Sequence, residues 1–220
     1  MSGAGDERGA RTIVKVCGLT RLQDAHEARK AGADWLGFIV HGESPRRVRP
    51  SYMSNVMTTL PDMIGVAVMV GVTPEEALEL ARRSDAKRIQ VHGVDSGSWP
   101  RDFPLPVAFV VPVAKDGSLT APLPPAEHLV MLDTAHATRA GGTGEPFPWE
   151  TARVVAQSRP VMLAGGLSGD NVVAALEQVH PFGVDASSRL ESEPGIKDPD
   201  RVWEFVAAVR EWDAQHADRS

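Results

Sequence analysis

The chain has a single cysteine, Cys17, and a single tyrosine among 220 residues. A lone thiol can form neither an internal disulfide nor a multi-thiolate zinc site, so any role of Cys17 comes from its own sulfur. Long apolar runs are also missing. Nothing approaches the roughly 20 residues of a bilayer span, and the polar start, Met1 to Ala10, lacks the apolar stretch of a signal peptide. The expectation is a cytoplasmic protein with no membrane partner. Basic clusters are scarce: 23 Lys and Arg stand against 29 Asp and Glu, the net charge is -6, and no basic run exceeds a pair such as Arg46-Arg47 or Arg82-Arg83. No nucleic-acid partner is expected from such a surface.

What is present is the composition of a globular core, 42% hydrophobic and 24% charged, which excludes disorder over most of the length and any collagen or coiled-coil character. α/β barrels of roughly 200–250 residues commonly form one domain, so one domain is the default. Residues 1–11, rich in Gly, Ser and charge, are read as a flexible leader, 12–212 as the domain, and the polar 213–220 as a flexible tail.

Within the domain, β-branched runs alternate with stretches of helical period. Strands are expected at 12–16, 35–39, 64–69, 88–91, 107–111, 129–132, 161–163 and 183–186. Helices are expected at 22–31, 51–60, 74–84, 149–157, 170–178 and 199–211. The fourth position, near Ser96 to Arg101, is short, and the fifth is a Pro-rich connection, 112–125, unsuited to a helix. Eight βα units in this length match a (β/α)8 barrel. The competing doubly wound sheet predicts a Gly-rich dinucleotide fingerprint after the first strand, and Cys17-Gly18-Leu19-Thr20 offers one glycine there.

In a barrel, function collects where strands end. Alternation puts Ile13, Lys15 and Cys17 on one face, with the thiol at the mouth if that face is inward; a buried, inert core thiol is the competing reading. Asp133 ends the sixth strand, either as a turn residue or as a carboxyl on the same rim. A thiol and a carboxyl facing one cavity form an acid/base pair. Gly141-Gly142-Thr143-Gly144 and Gly165-Gly166 follow strands six and seven, and Ser187-Ser188 follows strand eight, the place where barrels bind phosphate. Arg46 offers a guanidinium for a carboxylate, or merely belongs to a solvated basic loop, and His92 at the end of strand four is a rim candidate. Because closure makes strands one and eight neighbours, Lys15 and Asp185 are expected to form a buried ion pair.

In order, Val14-Lys15-Val16-Cys17-Gly18-Leu19-Thr20-Arg21, Ala31-Gly32-Ala33-Asp34, Ser44-Pro45-Arg46, Gln90-Val91-His92-Gly93, Leu132-Asp133-Thr134, Gly141-Gly142-Thr143-Gly144, Leu163-Ala164-Gly165-Gly166-Leu167 and Val184-Asp185-Ala186-Ser187-Ser188 followed by Glu191, Pro194-Gly195 and Lys197-Asp198 resemble the phosphoribosylanthranilate isomerase family of tryptophan biosynthesis. The resemblance spans Val14 to about Phe205. It implies an Amadori rearrangement of a phosphorylated sugar-amine substrate without metal or organic cofactor, with Cys17 as base and Asp133 as acid. It also implies that Gly165, Gly166 and Ser188, with Gly142 and Ser187 beside them, grip the phosphate, and that Arg46 faces the anthranilate carboxylate. Assembly as a monomer or homodimer is compatible with it.

Departures accompany the matches. Arg189 replaces a family glycine; if the backbone there has positive φ, arginine is strained, and in either case its cation adjoins the phosphate site. Ala67 and Met69 replace an aromatic and an amide on the third strand, which predicts an altered pocket. Glu145 and Pro148 also differ from the usual residues. These changes keep open a paralogue acting on a related N-phosphoribosyl amine and a non-catalytic phosphate-ligand-binding barrel, and the strand lysine Lys15 keeps open a Schiff-base lyase.

Overall fold

The computed structural model describes residues 11–135 and 147–217. Eight parallel strands close into a barrel in chain order: β1 (Ile13–Val16), β2 (Trp35–Ile39), β3 (Ile64–Val70), β4 (Arg88–His92), β5 (Val107–Val113), β6 (Leu129–Thr134), β7 (Val161–Leu163) and β8 (Gly183–Ala186). The ring closes where β8 pairs with β1, and its register sets Lys15 opposite Asp185. Side-chain alternation divides the apolar residues into two cores. Ile13, Trp35, Val66, Val110, Met131 and Met162 pack with their neighbours inside the barrel, whereas Val14, Val16, Leu36, Phe38 and Leu132 belong to the layer between sheet and helices.

The crossover helices are α1 (Leu22–Ala31), α2 (Pro50–Thr58), α3 (Pro74–Ser84), α4 (Glu150–Ala156), α5 (Val172–Val179) and α6 (Pro199–His216). Their limits follow local chemistry. α3 starts with Pro74 in its first turn and a reciprocal cap between Thr73 and Glu76, and α1 stops at Gly32, whose φ of 100 is left-handed. Between β4 and β5 only a 3-10 turn, Ser96–Ser98, forms, and no helix forms between β5 and β6. Pro112, Pro122, Pro124 and Pro125 remove the donors a helix needs there. Aromatic packing covers the barrel instead, with Trp99 edge-on to Phe109 at 5.3 Å and Phe103 5.0 Å from Trp99.

Three features differ from the sequence expectation. The stretch from Asp213, read as a flexible tail, is helical through His216, because the Asp213 carboxylate accepts from the Thr12 backbone N–H at 3.1 Å and from its hydroxyl at 2.7 Å. Ala67 and Met69 are wholly buried in the layer facing the helices, so their substitution alters that layer and not the barrel mouth. Finally, β8 is followed by a 3-10 turn, Ser188–Leu190, and a small antiparallel hairpin of β9 (Glu191–Glu193) and β10 (Ile196–Lys197) turning at Pro194-Gly195.

Candidate active site

Cys17 follows β1 directly, and its backbone N–H donates to Ala186 of β8 at 2.9 Å. Strand alternation carries the thiol inward, one layer above Lys15. A Cβ on Gly37 of β2 would lie 2.8 Å from Cys17 Sγ and 3.1 Å from Lys15 Cε, so glycine is what leaves the thiol and the ammonium stem their room. Lys15 is 1% exposed, with Nζ 2.6 Å from Asp185 Oδ1, as the closure argument expects. Burial alone would pull the Lys15 ammonium down, but Asp185 and then Cys17 outweigh it and hold its pKa above the ordinary lysine value. A lysine held protonated is a poor Schiff-base nucleophile, which removes the support for the lyase alternative.

Burial pushes the Cys17 thiol up, the Lys15 charge opposes this, Asp185 adds to it, and Lys197 opposes it again; the net shift is upward. Two ammonium groups thus favour a thiolate that burial disfavours. The second belongs to Lys197 of β10. Its Nζ donates to Glu191 Oε1 at 2.8 Å and to the Ser187 carbonyl at 3.1 Å, and its backbone N–H donates to the buried Asp24 carboxylate at 3.1 Å. Glu191 in turn receives Arg46 Nε at 2.8 Å and Nη2 at 2.6 Å. Arg46 is therefore no solvated loop residue; its fork is fixed by Glu191, leaving the remaining guanidinium N–H groups for another acceptor. The signal that could have found the hairpin is Pro194-Gly195 between two short polar runs, and its charge network is a tertiary matter.

On the other side of the mouth, Asp133 is the next-to-last residue of β6 and its Oδ1 accepts from the Thr134 backbone N–H at 2.8 Å. Gly165 abuts this carboxyl: with φ 91 it adopts a backbone that L side chains rarely do, and a Cβ there would lie 2.8 Å from Thr134 N and 3.2 Å from Asp133 Oδ1. Gly166 is also left-handed, with φ 70. Asn171 ties this turn to α5, accepting from Ser168 N at 2.9 Å and donating to Gly166 O at 3.0 Å. The buried hydroxyls of Thr134 and Ser168 bond to no group among the described residues. Such a turn, leading to a helix N-terminus with two uncommitted hydroxyls, suits an anion.

Ser187 and Ser188 lie in the adjoining loop after β8, Ser187 half-buried and Ser188 exposed. Arg189 follows them, exposed and within the 3-10 turn. The positive φ that would strain an arginine does not occur there: the positive-φ non-glycine residues among those described are Asp85 and His180. The turn takes the chain through Arg189 with ordinary backbone angles. His92 ends β4 on the inward side and hydrogen-bonds Gln90 within the same strand at 2.8 Å. Gly142, with the glycine run around it and Glu145, lies outside the described residues.

A closed barrel with a thiol, a carboxyl and an anion-suited turn around its C-terminal rim has the architecture of a (β/α)8-barrel enzyme. Residues 14–208 match the family model described as N-(5'-phosphoribosyl)anthranilate (PRA) isomerase, and the chain belongs to that family. It is 37% identical over 203 residues to the N-(5'-phosphoribosyl)anthranilate isomerase of Trichlorobacter lovleyi, covering 90% of this chain and 98% of that one. The corresponding protein of Rubrobacter xylanophilus is 39% identical over 203 residues, with the same shares covered. Among solved structures, the phosphoribosyl anthranilate isomerase of Thermotoga maritima superposes with TM-score 0.78 at 29% identity, covering 91% of this chain and 99% of that one. Another phosphoribosyl anthranilate isomerase, in complex with reduced 1-(o-carboxyphenylamino)-1-deoxyribulose 5-phosphate, gives TM-score 0.75 at 28% identity, with the same coverage.

Proposed function

We propose that this barrel converts N-(5'-phosphoribosyl)anthranilate into 1-(2-carboxyphenylamino)-1-deoxyribulose 5-phosphate in tryptophan biosynthesis, with Asp133 as acid and Cys17 as base. The observation that carries the residue roles is the placement of the two groups: both stand at strand ends on the rim, Cys17 flanked by the charges of Lys15 and Lys197 and Asp133 set against the Gly165 turn.

The chemistry balances with these groups alone. Asp133 gives its proton to the furanose ring oxygen, the C1'–O bond breaks, and the amine lone pair forms the C1'=N iminium. Cys17, as thiolate, removes the C2' proton, and that electron pair becomes the C1'=C2' bond of an enolamine as the iminium nitrogen is neutralised. Protonation at C1' and loss of the O2' proton give the ketose. Every step is a proton transfer with bond reorganisation, so the reaction needs no metal or organic cofactor. Gly165, Gly166, Ser187 and Ser188, with Gly142 and the Arg189 cation beside them, would hold the phosphate; Arg46, oriented by Glu191, would face the anthranilate carboxylate; His92 would line the mouth between them.

No helix among the described residues is long and apolar enough to cross a membrane, and we read the protein as cytoplasmic. We read the assembly as a monomer or homodimer, which light scattering separates. The activity is tested by following the loss of anthranilate-type fluorescence on adding purified protein to phosphoribosylanthranilate, with Cys17→Ala as the blank. A Cys17-dependent kcat/KM of about 10⁴–10⁸ M⁻¹s⁻¹ is expected. Thermal stabilisation by a product analogue with no turnover would instead indicate a binding protein.

A further inference from the structure

Two features of the barrel interior are left without a purpose by the acid and base. Gln90 is 3% exposed, and none of the described residues donates to its Oε1. Its amide Nε2 lies 2.8 Å from His92 Nε2, two residues along the same strand and on the same inward face. An amide nitrogen donates and does not accept, so His92 Nε2 is the acceptor and the imidazole proton sits on Nδ1.

The orientation of the amide is decided from below. Gln90 and Lys15 line a common cavity of about 10 Å³, which Trp35, Val66 and Met131 also bound. That is room for about one water molecule. With Oε1 toward this cavity, an acceptor shares it with Lys15, whose positive charge favours that orientation. Turning the amide over would aim its N–H donors into the cavity that a buried cation lines, an arrangement that costs desolvation without return. The Lys15–Asp185 pair thereby orients Gln90, and Gln90 orients the proton on His92.

We infer that Gln90 is a positioning residue that locks His92 in the Nδ1–H tautomer, making His92 a neutral, one-directional hydrogen-bond donor to a substrate oxygen at the mouth and not a proton shuttle. The inference rests on the isomerase reading and assigns this histidine's role within it. Independent support comes from its charge state: burial, assisted by the Lys15 charge, pushes the His92 pKa down to about 4, so the ring is neutral at physiological pH. With Nε2 occupied by Gln90 and Nδ1 already protonated, the ring has no free site to take up a proton. It can only donate.

The tautomer is read on the free wild-type protein by ¹⁵N–¹H correlation of the imidazole nitrogens, with His92→Asn used to assign the signals. The expected pattern is a protonated Nδ1 and an unprotonated Nε2 for His92; a protonated Nε2 overturns the proposal whatever the turnover. Kinetics of two variants supply the second arm. Asparagine places its amide nitrogen near the position of Nδ1, glutamine near that of Nε2. Both variants are expected to lower kcat/KM, His92→Gln ~10-fold more than His92→Asn, the scale of one neutral hydrogen bond. Equal losses in the two variants overturn the donor role. If wild-type turnover itself is absent, the tautomer measurement still decides the Gln90–His92 relationship, so failure of the isomerase reading and failure of this one are told apart.

Discussion

Lys15 and Asp185 meet across the seam where β8 closes onto β1, Nζ 2.6 Å from Oδ1, with the lysine almost completely removed from solvent. The pair ties the first strand to the last and supplies a positive charge beneath Cys17, and its lysine lines the cavity that Gln90 also lines. A charge buried this deeply is tolerated only while it is matched.

Lys15→Met leaves the Asp185 carboxylate buried without its partner, and the expected loss is about 3–5 kcal/mol, read by urea unfolding monitored through circular dichroism. A loss under ~1 kcal/mol would show that the pair contributes little to closing the barrel. The double variant Lys15→Met with Asp185→Leu is expected to recover most of the stability, since no uncompensated charge remains.

Cys17→Ala and Asp133→Asn are each expected to lower kcat by at least ~10²-fold while leaving affinity for a phosphorylated product analogue intact. The pH profile carries a further mark of Cys17. Because burial, against the Lys15 charge, raises its pKa, and a base works only when deprotonated, kcat/KM should climb with pH along a limb lying above the ordinary thiol value of about 8.5. A wild-type profile flat from pH 7 to 10 would remove Cys17 from the role of base.

Burial pushes the Glu191 carboxyl up, yet the Arg46 hydrogen bonds and the Lys197 charge more than offset this and hold it below the ordinary glutamate value. A depressed folded pKa contributes stability that is complete above the unfolded value, about 4.3, and disappears as pH falls through the folded one. The melting-temperature difference between wild type and Glu191→Gln should therefore be largest near pH 6 and close below pH 4. Glu191→Gln should also raise KM for the substrate more than it lowers kcat, since it loosens Arg46 and touches neither acid nor base. A difference constant from pH 6 to 3 would count against the network.

Arg189→Gly tests the residue that departs most from the family pattern. Arg189 is exposed and not in a left-handed conformation, so removing it should change stability by no more than about 0.5 kcal/mol. Its cation lies next to Ser187 and Ser188, so inhibition by inorganic phosphate should weaken. Unchanged phosphate inhibition would make Arg189 a bystander.

Much of the architecture was legible from local pattern. The β2, β7 and β8 limits and both ends of α1 and α3 coincide with the expected ones, because β-branched runs, Gly32, Thr73 and Pro74 mark them through interactions within a few residues. The missing helix after β5 was likewise written in its prolines. The β9–β10 hairpin was not expected, since runs of three and two residues carry no usable period. Of the site, the thiol, the carboxyl and the Gly165-Gly166 turn could be placed by asking what stands at a strand end. The Lys15–Asp185 pair needed one further assumption, that the sheet closes.

The sequence by itself determined the strand and helix order, the barrel, and which residues reach its rim, because periodicity, caps and prolines act over a few residues and a closed parallel sheet leaves few alternatives. Tertiary structure alone decided the partners. That Arg46 is gripped by Glu191, that Lys197 bears on Cys17, and that Ala67 and Met69 face the helices depend on register and on distances between segments far apart in the chain. Burial and the resulting low dielectric set how strongly those groups act on one another, and neither exists until the barrel has closed.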